Sequence, residues 1–308
     1  MSVILKTYGL SKQYKGKLAV SDANMCINEG DIYGFVGENG SGKTTIIRLI
    51  SGLIHPDGGS FELFGEMNTN PAIREARRKI GAIVESPSIY RNMSAEDNLR
   101  MQCTLLGIKP TDEKIRSALS SVGLEALIGE KKNAGNFSLG MRQRLGIAMA
   151  MLGEPRFIML DEPMNGLDPA GIVEIRELIL KLNREEGITF LISSHILTEL
   201  ALVATKYGII SKGHIIEEIT AKELHAMCGK YTVIRAENTE SLYATAKLLY
   251  GEENVSFMPD GVRISGDIAI DVLFEKMIES KNRILGVNTS EVSFEEYYLS
   301  VVGGKQKG

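Results

Sequence analysis

The stretch Gly37-Glu38-Asn39-Gly40-Ser41-Gly42-Lys43-Thr44 fits the spacing G-x-x-x-x-G-K-[ST], with an apolar run before it and a helical pattern after it. Glycines in such a run let successive backbone N–H groups turn inward and wrap phosphate oxygens. Lys43 then reaches the β- and γ-phosphates, and the Thr44 hydroxyl coordinates Mg²⁺. The helix that opens there adds the positive end of its dipole, with Thr45 as a further ATP-side residue. Phe157-Ile158-Met159-Leu160-Asp161-Glu162 is an apolar run closed by two carboxylates. Asp161 can hold Mg²⁺ through water, and Glu162 can orient or deprotonate an attacking water. Alone, the pair reads equally well as a solvated acidic turn. Beside a phosphate loop it points to hydrolysis of a nucleoside triphosphate. Phe137-Ser138-Leu139-Gly140-Met141-Arg142-Gln143-Arg144 opens a helix with a small polar residue and a glycine. Its N–H groups and the Ser138 hydroxyl can meet a phosphate, although Ser138 taken alone reads first as an ordinary N-cap.

The elements that must position these groups alternate. Ile32 to Val36, Ile80 to Val84, Phe157 to Leu160 and Ile188 to Ile192 are apolar at nearly every position, as strands covered on both faces of a parallel sheet are. Helical patterns such as Thr44 to Ser51 and Ala170 to Glu186 follow them, so an α/β domain is expected over residues 1–228. Residues 92–150 read as a mostly helical insertion, with an N-cap at Ser94 and a helix start near Pro110. Beyond residue 230 the order is βαββαβ, the ferredoxin-like pattern, over 231–302 and with Pro259-Asp260-Gly261 as a turn. Residues 303–308 are expected to fray as a flexible tail.

Composition narrows the classes further. The 308 residues carry 35 Lys+Arg against 39 Asp+Glu, a net charge of −4, which argues against a nucleic-acid binder working by bulk positive charge. The basic run Arg74 to Lys79 reads as a solvated helix face. Cys26, Cys103 and Cys228 are widely spaced and form no CxxC, so they are expected to be reduced, buried thiols. No apolar stretch approaches the about 20 residues of a spanning helix. The start at Met1-Ser2-Val3-Ile4 lacks a secretory pattern. Work on a membrane process would need a separate membrane chain.

With the phosphate loop upstream and Leu160-Asp161-Glu162-Pro163 downstream of Ser138, residues 1–225 resemble an ATP-binding cassette (ABC) ATPase. The resemblance implies ATP and Mg²⁺ as ligands and a homodimer in which each ATP lies between Gly37–Thr44 of one copy and Ser138–Gly140 of the other. It also implies separate permease chains and a peripheral position on the cytoplasmic face of a bacterial membrane. Ser138 and Gly140 lie in the signature motif, from which Leu139 and Met141 depart. Tyr14 matches the aromatic residue that stacks on adenine, Asp168 the D-loop aspartate at the dimer interface, and His195 the switch histidine beside Glu162. Glu85 stands where most cassettes carry glutamine, bridging the metal–water site with Thr44 and Asp161 and coupling to the permease. Its added charge is expected to crowd Asp161 and Glu162. The Glu85 and Ser-Leu-Gly-Met variants and the ending Ser293-Phe294-Glu295-Glu296-Tyr297-Tyr298 resemble exporters of bacitracin and lantibiotics. Two other classes stay open: a soluble cassette acting on ribosomes or DNA, and a regulatory ATP switch with little turnover.

Overall fold

The computed structural model describes residues 2–266 and 268–304. The chain divides into two compact units, Met1–Ala221 and Lys222–Gly308. That division falls about two helical turns before the end at 228 read from the sequence, because the short helix Ala221–Met227 clusters with the second unit.

The first unit is built on a six-stranded sheet ordered His214–Thr220, Lys206–Ser211, Ile32–Val36, Thr189–Ser194, Phe157–Asp161, Ile80–Ile83. The outer hairpin, His214–Thr220 with Lys206–Ser211, is antiparallel, and every other neighbour is parallel. Ile32–Val36, Phe157–Asp161 and Thr189–Ser194 are buried at every position, which is why their sequences are apolar runs without alternation. Strand order is not chain order here, and the phosphate loop leaves the carboxyl end of the central strand Ile32–Val36.

A second sheet has no counterpart in the sequence reading. Val3–Tyr14 pairs antiparallel with Lys17–Ala23, Cys26–Asn28 and Gly58–Leu63, and Glu66–Met67 adds a fifth strand. Its inward residues Ile4, Leu5, Ile27 and Phe61 join Tyr33, Phe35, Ile46, Leu49 and Phe157 in one core. The helix after the phosphate loop is therefore packed between two sheets, which fixes the loop at its N-terminus.

Residues 92–150 contain the helices Ala95–Leu106, Asp112–Ser121 and Leu139–Met151. Each is capped by the side chain of the residue before it. Ser94 forms a capping box with Asp97, Thr111 accepts from the Lys114 N–H, and Ser138 accepts from the Met141 N–H.

In the second unit the strands Gly229–Ala236, Val255–Met258, Gly261–Ser265 and Ile284–Val292 form an antiparallel sheet. Counted in chain order, they lie second, third, first, fourth across it. Helices Thr239–Tyr250 and Ile270–Glu279 complete the ferredoxin-like pattern, with Ile234, Leu242, Val262, Ile264, Leu273 and Met277 as its core. A last helix, Phe294–Gly304, takes in Gly303 and Gly304 of the expected tail, and 305–308 lie outside the described residues. Of the three cysteines only Cys103 is buried; Cys26 and Cys228 are half-buried, and all three are free thiols. Among the described residues no helix is long and apolar enough to cross a membrane.

Candidate nucleotide site

The phosphate loop needs its glycines for two separate reasons. Gly42 sits at φ 114° as the cap of helix Lys43–Ser51, and a Cβ there would lie 2.6 Å from the Ala19 carbonyl oxygen. Gly37 has an ordinary φ but no room, since a Cβ would meet the Ile210 carbonyl oxygen at 2.4 Å. The loop is thus held against the neighbouring strand Lys206–Ser211, and it turns on itself with the Ser41 N–H donating to the Glu38 carbonyl at 3.1 Å.

Lys43 is buried and folds back over this loop, donating to the carbonyl oxygens of Gly37 at 2.6 Å and Glu38 at 3.1 Å. Its ammonium also lies 3.3 Å from Glu162 Oε1. That carboxylate oxygen is buried and accepts no hydrogen bond, so the contact is an ion pair without hydrogen-bond geometry. Ser41 Oγ in the loop is likewise buried without a partner. Two polar atoms left unsatisfied beside a cationic cradle are what a site shaped for a phosphate and a water would show, because unpaired buried polar groups are otherwise rare.

The carboxylates at the end of Phe157–Asp161 are held by long-range bonds. Thr44 Oγ1 donates to Asp161 Oδ2 at 2.8 Å, and Ser193 Oγ donates to Asp161 Oδ1 at 2.6 Å. Ser193 Oγ in turn accepts from the Glu162 N–H at 2.9 Å. Glu162 takes φ 50°, a left-handed conformation uncommon for a side chain of its size, which turns its carboxylate back toward the phosphate loop. His195 Nδ1 lies 2.7 Å from Glu162 Oε2. One oxygen of Glu162 therefore faces Lys43 and the other His195. The hydroxyl–carboxylate pair of Thr44 and Asp161 offers oxygen donors of the kind Mg²⁺ prefers, so the residues present fit that ion.

The structure brings Lys43, Thr44, Asp161, Glu162 and His195 together, and with them Ser193, which the sequence reading missed. Its signal was available: Ser193 and Ser194 follow directly on the apolar run Phe190-Leu191-Ile192 of a fully buried strand. Glu85 is not brought in. It takes φ 64° and its exposed carboxylate pairs with Arg48 at 2.5 Å, without a hydrogen bond to Thr44, Asp161 or Glu162. The expected crowding of three carboxylates is absent here because Arg48, one helical turn beyond the phosphate loop, supplies the counter-charge. Tyr14, at the end of its strand, is exposed, with Lys12 Nζ 5.8 Å from its ring centroid. Asp168 is the N-cap of helix Pro169–Glu186, accepting from the Gly171 N–H at 2.9 Å.

Beside the Glu85 turn lies a cleft of about 390 Å³ whose floor includes Ile83, Pro87, Leu106 and Met149. Arg74, Arg77 and Arg78 line it as well. The basic run is therefore not simply a solvated face: Arg77 donates to the Ile50 carbonyl at 3.1 Å and lies over Phe61.

A glycine loop between a central strand and a helix, a buried lysine and an acidic strand end held by a neighbouring strand define a P-loop nucleoside triphosphatase of the cassette type. The chain belongs to the ABC transporter family as an ATP-binding subunit: the family profile "ABC transporter" matches residues 20–165. It is 40% identical to the bacitracin transport ATP-binding protein BcrA of Bacillus licheniformis, over 99% of both chains. It is 41% identical to the lantibiotic transport ATP-binding protein SrtF of Streptococcus pyogenes, over 70% of this chain and 90% of that one. Among solved structures it resembles cbiO1 of Clostridium perfringens, part of an ABC transporter complex, with 28% identity and a TM-score of 0.65 over 73% of this chain and 92% of that one. Cassettes of this family bind ATP, and the chain is an ATPase coupled to transport.

Proposed function

We propose that the protein powers export of antimicrobial peptides of the bacitracin or lantibiotic type from bacterial cells, as a homodimer docked on separate permease chains at the cytoplasmic face of the membrane. The observation that carries the catalytic half is the convergence of Lys43 and His195 on the two oxygens of Glu162, beside the Thr44–Asp161 pair. The cargo rests on full-length likeness to BcrA.

In this reading Gly37 to Thr45 hold the triphosphate, with Lys43 leaving its own carbonyls for phosphate oxygens, and Tyr14 stacks on adenine. Thr44 and Asp161 hold Mg²⁺, which when bound neutralises charge developing on the β/γ-phosphate oxygens. Glu162 orients the attacking water and accepts its proton, and His195 holds the Glu162 carboxylate in place. Ser138 to Met141 of the partner copy close over the nucleotide, with Asp168 at the interface. Contacts to ATP from both copies favour the closed dimer, and loss of the γ-phosphate releases it. Glu85 leaves Arg48 and reports the state of the site to a permease segment seated in the adjacent cleft.

Expression in a sensitive bacterium together with its permease should raise the concentration of bacitracin or lantibiotic tolerated. The same pair carrying Glu162→Gln should not. Equal tolerance with and without the wild-type chain, for both peptide classes, would overturn the cargo assignment.

A further inference from the structure

The signature turn and the turn after Glu162 interlock through a pair of leucines. A methyl group added at Gly166 would lie 3.4 Å from Leu139 Cδ2, and one added at Gly140 would lie 3.8 Å from Leu167 Cδ2. Each segment thus places a leucine beside the other's glycine, near enough that an added methyl there would be in ordinary van der Waals contact with it. Gly166 holds φ 75°, so the seat for Leu139 depends on a backbone that a larger residue strains. Leu139 is 38% exposed although it is a large apolar side chain at a helix start. Gly166 is on its covered side, and a Cβ added at Gly171 would lie 3.5 Å from Leu167 Cβ.

Resting on the head-to-tail reading above, we propose that Leu139 is a positioning residue: seated on Gly166 while Leu167 is seated on Gly140, it locks the Ser138–Met141 turn to the Asn165–Asp168 turn, so that both meet the partner copy as one pre-ordered surface. The physical ground is conformational entropy. A glycine at 139, as most signature motifs have, leaves the turn free to sample left-handed backbone, and that freedom is lost on association. A leucine restricts the backbone and anchors it to the segment that carries Asp168. Pre-ordering raises the affinity of the association without adding a contact to the nucleotide.

The test uses the full chain in a Glu162→Gln background with Mg·ATP, read by analytical ultracentrifugation across protein concentration, with ATP affinity measured in parallel. Leu139→Gly should raise the dimer dissociation constant about tenfold, the scale of losing a half-covered leucine's packing and the order it imposes. Gly166→Ala, which strains the φ 75° backbone on which the seat depends, should weaken association in the same direction. Leu139→Met, which refills the contact, should restore it to within about twofold. Dimerisation of Leu139→Gly equal to the background, or a Leu139→Met defect as large as that of Leu139→Gly, would overturn the interlock. If the Glu162→Gln background itself stays monomeric with ATP, the head-to-tail reading has failed rather than the interlock.

Discussion

The two units solve opposite problems with the same kinds of element. In the first, Ser41, Lys43, Asp161, Ser193 and Ser194 are buried polar groups, and Glu85 and Glu162 hold left-handed backbone. In the second, Thr232 and Asn282 are the buried polar residues among those described, and Lys281, in a turn, is its positive-φ residue other than glycine. Asn282 there is satisfied within the fold, accepting from the Asn238 N–H at 2.9 Å and donating to its carbonyl at 2.7 Å. Ser41 Oγ and Glu162 Oε1 are not. The first unit carries unsatisfied and strained groups because its function requires them to meet a ligand. The second satisfies Thr232 and Asn282 within its own fold, although Arg263 Nε there is buried without a hydrogen-bond partner, and it depends on a small apolar core.

The sharpest way to break that contrast is Glu162→Gln. It keeps shape and one hydrogen-bonding oxygen but removes the base, so phosphate release with Mg·ATP should fall by about a hundred- to ten-thousandfold. ATP binding should persist. Hydrolysis within a few-fold of wild type would mean that the strained backbone at Glu162 serves the fold and not the chemistry.

That site was legible in the sequence wherever its residues are contiguous. Gly37 to Thr44 announces itself because one short loop carries the phosphate cradle, and Asp161-Glu162 because a fully buried strand ends on it. What stayed hidden depends on contacts across the chain. Ser193 holds the Asp161 carboxylate and the Glu162 backbone N–H from a different strand, and Arg48 neutralises Glu85 from a different helix. The antiparallel sheet around Val3–Tyr14 was missed for a related reason. Its strand carries bulges opposite Lys17–Ala23, Cys26–Asn28 and Gly58–Leu63, so its inward residues do not keep a clean alternation. The second unit was read almost whole, since its βαββαβ order is set by local turns and an alternating apolar face.

A core truncation sharpens the comparison from the other side. Leu242→Ala, fully buried in the second unit, should destabilise that unit by about 2–5 kcal/mol. Hydrogen exchange should rise in Thr239–Tyr250 and Ile270–Glu279 while helix Lys43–Ser51 keeps its protection. Equal loss of protection in both units would show that they unfold as one. Lys43→Ala should act only in the first unit. It removes the buried ammonium that faces Glu162 and, in the proposed reading, the triphosphate, and ATP affinity measured by calorimetry should fall by about ten- to a hundredfold. Unchanged affinity would overturn the phosphate-loop assignment.

The smallest effect on the nucleotide is expected at Glu85, where the structure separates the residue from the Thr44–Asp161 pair. Its ion pair with Arg48 is exposed, and exposed pairs contribute about 0–1 kcal/mol to stability. Glu85→Ala should therefore change the folding equilibrium and the ATP affinity by no more than about fivefold, the scale of about 1 kcal/mol. The left-handed backbone at Glu85 and its place beside the cleft lined by Ile83 and Pro87 argue that its role lies in transmission. Resistance conferred on cells should fall several-fold more than ATP affinity does, and Arg48→Ala should not reproduce that loss if Arg48 only parks the carboxylate between cycles. Resistance equal to wild type in Glu85→Ala would remove Glu85 from the coupling path and leave its strain unexplained.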